Sequence, residues 1–445
     1  MDIEQLKRVV ADNQIKYILA QFVDIHGVAK AKAVPAAHLG DILGDGAGFA
    51  GFAVDGLGIP PQGPDFMGIG DPRSFRLVPW QRGVARLACS GHVGGKPHPL
   101  DSRVICQKML DRVREKTGYS LLTGLEPEFF LLKKDPASGA ILPASDSDQL
   151  NKPCYEYRIL SRMGDVLFEL SDALIQAGID VYQIDHEDAN GQFEVNFTYA
   201  DALATADDLI FVKMAASEIA NKHGMICSFM PKPFANRTGS GMHMHMSLGD
   251  GTRNAFLDKS DSNGLGLSKL AYHFLAGLLQ HASALTAIAC PSVNSYKRLV
   301  SGGSLSGATW APISICYGDN NRTAMVRVPY GRLEYRTPDP ATNPYLLTAA
   351  VAAAGLDGIE RKLDAGPPTN LNLYQMTEDE KQARGIARLP RDLRASLLAL
   401  EDDAVLVEAL GENLVREFLA LKWAEVAAYD RHVSAWEVER YLEFY

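Results

Sequence analysis

The stretch Gly241–Leu248 reads GMHMHMSL, with methionine and a polar residue in strict alternation. Successive side chains of a β-strand point to opposite faces. This spacing therefore puts Met242, Met244 and Met246 on one face and His243, His245 and Ser247 on the other. A helix would scatter both sets around its axis. The chain is thus committed to a sheet with one apolar side, where methionines fill core, and one side that gathers imidazoles. A second stretch, Thr123–Leu132 (TGLEPEFFLL), repeats the device, with Glu126 and Glu128 two apart in an apolar strand. Adjacent carboxylates repel, more so when buried, unless a cation or a shared proton compensates. The plain alternative is an edge strand with its acids in solvent.

In Ile184–Phe197 (IDHEDANGQFEVNF), Asn190-Gly191 predicts a two-residue hairpin turn. Such a turn brings Glu187 and Glu194 together, unless both are surface acids. Carboxylates with two histidines favour Mg²⁺ or Mn²⁺ over a closed zinc site. The segment Asn321–Arg336 (NRTAMVRVPYGRLEYR) sets Arg322, Arg327, Arg332 and Arg336 around Glu334, and arginines at that density suggest clamps for phosphate or carboxylate. Divalent metals with arginine clamps are the equipment of phosphoryl transfer.

Composition removes other classes. At 445 residues the chain holds ample core, and its formal net charge of −10 offers no basic footprint for nucleic acid. Cys89, Cys106, Cys154, Cys227, Cys290 and Cys316 form no C-x-x-C pair, which fits a reducing cytoplasm. The charged, amphipathic start is unlike a signal peptide. Gln280, His281 and Ser283 interrupt the most apolar run, so no membrane span is expected.

The first hundred residues read as short strands and the remainder as alternating strands and helices. An α+β chain is expected, with domains at 1–100 and 101–445 joined by a linker-like Gly94–Arg103. Residues 267–289 read as one helix.

The motifs GLEPEFF, NGQFE, PKPFANRTGSGMHMHMS, NSYKRL and NRTAMVRVPYGRLEYRTPDPATNPY, with a later NLY, resemble the glutamine synthetase family over essentially the whole length. The resemblance implies a small β-grasp-like domain, a large catalytic domain and a ring-shaped homo-oligomer, a dodecamer, with active sites between subunits. It also implies a reaction in which ATP phosphorylates glutamate and an amine displaces the phosphate. On this pattern Glu128, Glu187 and Glu194 hold one metal, and Glu126, His243 and Glu334 hold another. Arg298, Arg336 and Gly239 face glutamate, while Arg322, Arg327, Arg332, His245 and Ser247 face the nucleotide or the transferred phosphate.

Three positions depart from the ammonia-using members of that family. Ala50 stands where a neighbouring subunit supplies an aspartate, Ser304 where a lid glutamate closes over the site, and Thr238 where asparagine is usual. Losing two acceptors for ammonium N–H groups makes room for a methylated amine. The expected product is then a γ-glutamylalkylamide, methylamine being the first candidate, with ammonia or another small amine as alternatives. A non-catalytic relative would have lost metal-ligand positions, and all six are filled here.

Overall fold

The computed structural model describes residues 3–445. Its first sheet is built from β1 (Tyr17–Val23), β2 (Ala29–Pro35), β3 (Ala47–Phe49), β4 (Phe66–Gly70), β5 (Arg76–Leu77), β6 (Val84–Val93) and β7 (Lys96–Pro97). They lie in the order β2–β1–β6–β4–β3, with β5 and β7 also on β6, and only the β1–β6 pair is parallel. Phe22 packs edge-on against Phe49 with centroids 4.8 Å apart, and on Phe66 at 4.7 Å, forming this sheet's own core.

The second sheet takes β8 (Ser120–Lys134), β9 (Ile141–Pro143), β10 (Val181–His186), β11 (Gln192–Phe197), β12 (Ala200–Asp201), β13 (Ile226–Ser228) and β14 (Met242–Gly249). β15 (Ser314–Ile315) stands apart and pairs with β19 (Ala387–Arg388). The sheet is completed by β16 (Tyr317–Asp319), β17 (Val326–Val328) and β18 (Leu333–Tyr335). The order is β10–β11–β8–β14–β18–β17–β16. β8 is therefore a central strand, which removes the edge-strand reading of Glu126 and Glu128. Met242, Met244 and Met246 are buried in the main core with the helices Ser102–Thr117, Ala202–Lys222, Lys269–Gln280 and Pro344–Arg361. The last two helices approach so closely that a Cβ on Gly277 or Gly358 would collide with the other's backbone.

Two expectations need correction. Residues 267–289 are not one helix: Lys269–Gln280 ends at His281 and Ala282–Ala289 begins after it. His281 is held by Asp403 at 2.7 Å and Asp357 at 3.0 Å, so partners distant in sequence turn the chain where local periodicity would continue. The Gly94–Arg103 segment is no free linker either. His98 is buried with its Nε2 2.9 Å from the Leu57 carbonyl, and Asp101 caps the helix Ser102–Thr117 by accepting from the Val104 N–H. Burial pushes the Asp101 carboxyl up to about 6.

The two sheets are fastened through buried arginines. Arg103 donates to Asp207 at 2.8 and 2.9 Å and to Asp71 at 2.9 Å. Arg86, fully buried, donates to the Gln21 side chain and the Asp207 carbonyl. All six cysteines are free, and among the described residues no helix is long and apolar enough to cross a membrane.

Candidate active site

Strand register assembles the site. Glu194 of β11 stands directly opposite Glu128 of β8, His243 of β14 opposite Glu126 of β8, and His245 of β14 opposite Glu334 of β18. Directly paired residues share a face, so three cross-strand pairs line the side of the sheet that the methionines do not use. Glu187 follows β10 and completes the group. Three sets of side chains bring ligand atoms within 4.8 Å of one another: Glu128–Glu187–Glu194, Glu126–Glu194–His243 and Glu126–His245–Glu334.

The donor chemistry fits divalent cations. Burial, and then the charge of Glu187, push the Glu128 carboxyl well above the usual carboxylate range. Burial with neighbouring acids does the same to Glu194 and raises Glu187 to about 7. A hard cation among such oxygens relieves both the desolvation and the repulsion. On the other side, burial opposes the charge of Glu126, but His243 and His245 hold it below its ordinary value. Burial and Arg336 lower His243 to about 4, so a neutral imidazole faces an ionised carboxylate, the protonation states that metal ligation requires. Gly241 permits the convergence, because a Cβ there would sit 2.8 Å from Arg298 Nη2 and 3.1 Å from both Glu128 Oε1 and His243 Nε2.

The arginines separate into two groups. Arg327 and Arg336 pair with the fully buried Glu334 at 2.6 and 2.5 Å. Arg298, also buried, donates to the carbonyls of Thr337 (2.8 Å) and Arg336 (3.1 Å), tying the start of the following loop to the end of β18. Arg332 lies 3.3 Å from His245 Nδ1, and Arg322 is exposed. A cavity of about 750 Å³ opens beside them, lined by Glu126, His245, Ser247, Asn254, Arg332 and three tyrosines, Tyr182, Tyr199 and Tyr330.

The remaining positions are more dispersed. Gly239 packs its backbone against Pro231 and the Arg298 stem. Thr238 is buried and Ser304 half-buried, their hydroxyls 3.2 Å apart. Ala50 lies exposed at the end of β3, in the other sheet.

The hairpin turn differs from expectation. Its closing bond runs from the Glu187 N–H to the Gln192 carbonyl at 2.9 Å, leaving a four-residue turn, Asp188–Gly191, in which only Gly191 has positive φ (+78°). Asp148 dictates this shape by accepting from the Gly191 N–H at 2.6 Å and from the Asn190 side chain at 2.7 Å.

Sequence reasoning also missed two acids. Asp185 pairs in register with Glu194, and burial raises its carboxyl. Asp188 is 7% exposed. Asp185 was findable, since it shares the i, i+2 spacing with Glu187; the cavity tyrosines carried no signal apart from ordinary aromatic content.

A sheet face bearing paired acid–histidine sets beside arginines and a cavity of this size has the equipment that metal-dependent phosphoryl transfer needs. The glutamine synthetase catalytic-domain model matches residues 99–441, and the chain belongs to the glutamine synthetase family, whose ligases use ATP and a divalent metal. It is 57% identical over 446 residues to the glutamate–methylamine ligase of Methyloversatilis universalis, spanning all of both chains. It is 41% identical to a glutamine synthetase of Rhizobium leguminosarum bv. phaseoli, over 97% of this chain and 98% of that one. Among solved structures, a GmaS–ADP complex superposes with a TM-score of 0.91 at 43% identity, covering 98% of this chain and 99% of the other.

Proposed function

We propose that this chain is an ATP-dependent ligase joining the γ-carboxylate of glutamate to methylamine through γ-glutamyl phosphate, with release of ADP and phosphate. The observation that carries this reading is the full-length 57% identity to a glutamate–methylamine ligase, against 41% to a glutamine synthetase. The neutral side chains of Ala50 and Ser304 support it, because they offer a methyl group space and withhold two acceptors from ammonium.

The cavity takes the nucleotide, its base against Tyr199 and Tyr330 and its phosphates toward His245, Ser247, Arg322, Arg327 and Arg332. Arg298, Arg336, Thr238 and the Gly239 backbone bound the glutamate end. Glu128, Glu187 and Glu194 would hold one Mg²⁺ or Mn²⁺. Glu126, His243 and Glu334 would hold a second, His243 Nδ1 lying 3.6 Å from each carboxylate and His245 close enough to Glu126 (3.1 Å) to support that ligand. Such ions, when bound, neutralise phosphate charge and orient the transferred group. The chain's own residues align glutamate with the γ-phosphate, stabilise charge with arginines and keep water from the acyl phosphate. Residues 1–100 form a separate domain in this reading. In a ring-shaped oligomer, a dodecamer, that domain would present Ala50 to a neighbour's site.

Ammonium, methylamine, ethylamine and putrescine, each with glutamate, ATP and Mg²⁺, test the proposal through kcat/KM. Methylamine is expected to lead by at least about tenfold, since a pocket fitted to one methyl group discriminates by roughly 10–200-fold. Ammonium as the best substrate would overturn the assignment.

A further inference from the structure

We propose that Asp188 latches the loop Leu299–Ile313 over the site and is a positioning residue for the transfer; the kinetic consequence rests on the ligase reading, the structural one does not. A single oxygen of this buried carboxylate, Oδ2, accepts three hydrogen bonds. They come from Thr238 Oγ at 2.8 Å, Ser306 Oγ at 2.5 Å and Trp310 Nε1 at 3.0 Å. Two of the donors belong to the loop, and the third precedes β14. Ser304 joins the same knot, 3.2 Å from the Thr238 hydroxyl and 2.9 Å from that of Ser306.

The rest of the loop is lightly held. Gly302, Gly303 and Gly307 take φ of +83°, +82° and +89°, a backbone region that favours glycine, and a Cβ on any of them would meet nothing within 4 Å. The loop's far end is fixed separately, by Tyr374 Oη donating to the Ala311 carbonyl at 3.0 Å and Arg336 to the Trp310 carbonyl at 3.2 Å. Other ties near the tip are the backbone bond from the Leu305 N–H to the Asn236 carbonyl and a 3.3 Å contact of Thr238 Oγ with the Ala308 carbonyl, while Thr309 Oγ donates to the Val300 carbonyl at the loop's base. Trp310 reaches Asp188 from φ +54°, an uncommon conformation for a bulky residue. Hydrogen bonds to an ionised acceptor are about twice as strong as neutral ones, so the charge of Asp188 concentrates the loop's anchorage at one point.

That point adjoins the reaction centre: the Asp188 N–H donates to Glu187 Oε2 at 3.1 Å. Releasing the latch admits water. The water oxygen then attacks the γ-carbonyl carbon of γ-glutamyl phosphate and the bond from that carbon to the bridging phosphate oxygen breaks; one water proton passes to the leaving phosphate and the other to solvent, and phosphate and glutamate leave without amide. ADP and phosphate accumulate while the amine is spared.

The latch also accounts for a neutral residue at position 304. A carboxylate there would sit beside two hydroxyls already committed to Asp188, placing like charges one hydrogen-bond layer apart in a buried setting. Acidity at 188 therefore excludes acidity at 304.

The test uses the full-length enzyme with Mg²⁺, ATP, glutamate and methylamine. Asp188→Asn is expected to raise ADP formed per amide from one to several, and to speed amide hydrogen exchange within residues 300–310 by about tenfold. Ser306→Ala and Trp310→Phe, which keep the carboxylate and carry the test should Asp188→Asn misfold, are expected to move both readouts the same way. Ser304→Glu should lose more turnover with Asp188 present than in an Asp188→Asn background. A ratio that stays at one with unchanged exchange in all three variants overturns the latch. Failure of every amine to yield amide would instead overturn the ligase reading, while exchange still decides the latch.

Discussion

Gln192 makes the clearest argument for what a single buried side chain contributes. It has no exposed surface, and its Nε2 donates to Glu128 Oε2 at 2.8 Å and to Ser240 Oγ at 3.3 Å, while the Gly241 N–H donates to the same carboxylate oxygen at 2.9 Å. These donors fix the direction in which Glu128 presents its other oxygen. Gln192→Leu is expected to weaken Mn²⁺ binding about 10–100-fold, measured by calorimetric titration, while the fold remains intact by circular dichroism. Glu126, Glu128, His243 and His245 were legible in the sequence because strand alternation is a local property. Asp188 was not. Its neighbours Thr238, Ser306 and Trp310 lie 50 to 122 positions away, and no spacing rule reaches that far.

Among the elements, the joint at His281 carries a pH dependence. Burial alone would lower this imidazole, but Asp403 and Asp357 more than offset it, and the folded-state value lies above the ordinary one near 6.5. A group raised on folding stabilises fully below its unfolded value and loses that contribution as pH rises through the folded one. The urea midpoint should therefore fall between pH 6 and the alkaline side. His281→Asn should flatten that slope, and a parallel decline in the variant would remove the joint as its source. The same joint shows why one predicted helix became two. Apolar periodicity runs unbroken through 267–289, and the carboxylates that turn the chain belong to later segments. Element type was readable from pattern; where an element stops depended on partners that pattern does not contain.

For the molecule as a whole, the fastening of the first sheet to the second decides cohesion. Arg103 bridges Asp71, beside the first sheet, to Asp207 of the helix Ala202–Lys222; its pair with Asp207 is almost wholly buried, and Tyr345 Oη adds a bond to Asp207 at 2.7 Å. Removing one member of a buried pair strands the other charge, at a cost of about 3–5 kcal/mol. Arg103→Leu is expected to lower unfolding free energy by that amount in urea titration, with a loss below about 1 kcal/mol counting against a cohesive role. The α+β class was legible from alternating segments, whereas the burial of Gly94–Arg103 was not, since glycine and proline mark a turn without saying what covers it. The cross-strand pairing also bears on refolding. If β14 slipped by one residue against β8, both imidazoles would rotate into the oily layer and the thioethers would face the acids. A slip of two would set His245 against Glu126 and His243 against Glu128. Catalysis thus acts as a proofreader of assembly: recovered activity after denaturation should lag recovered secondary structure by the fraction of molecules caught out of register.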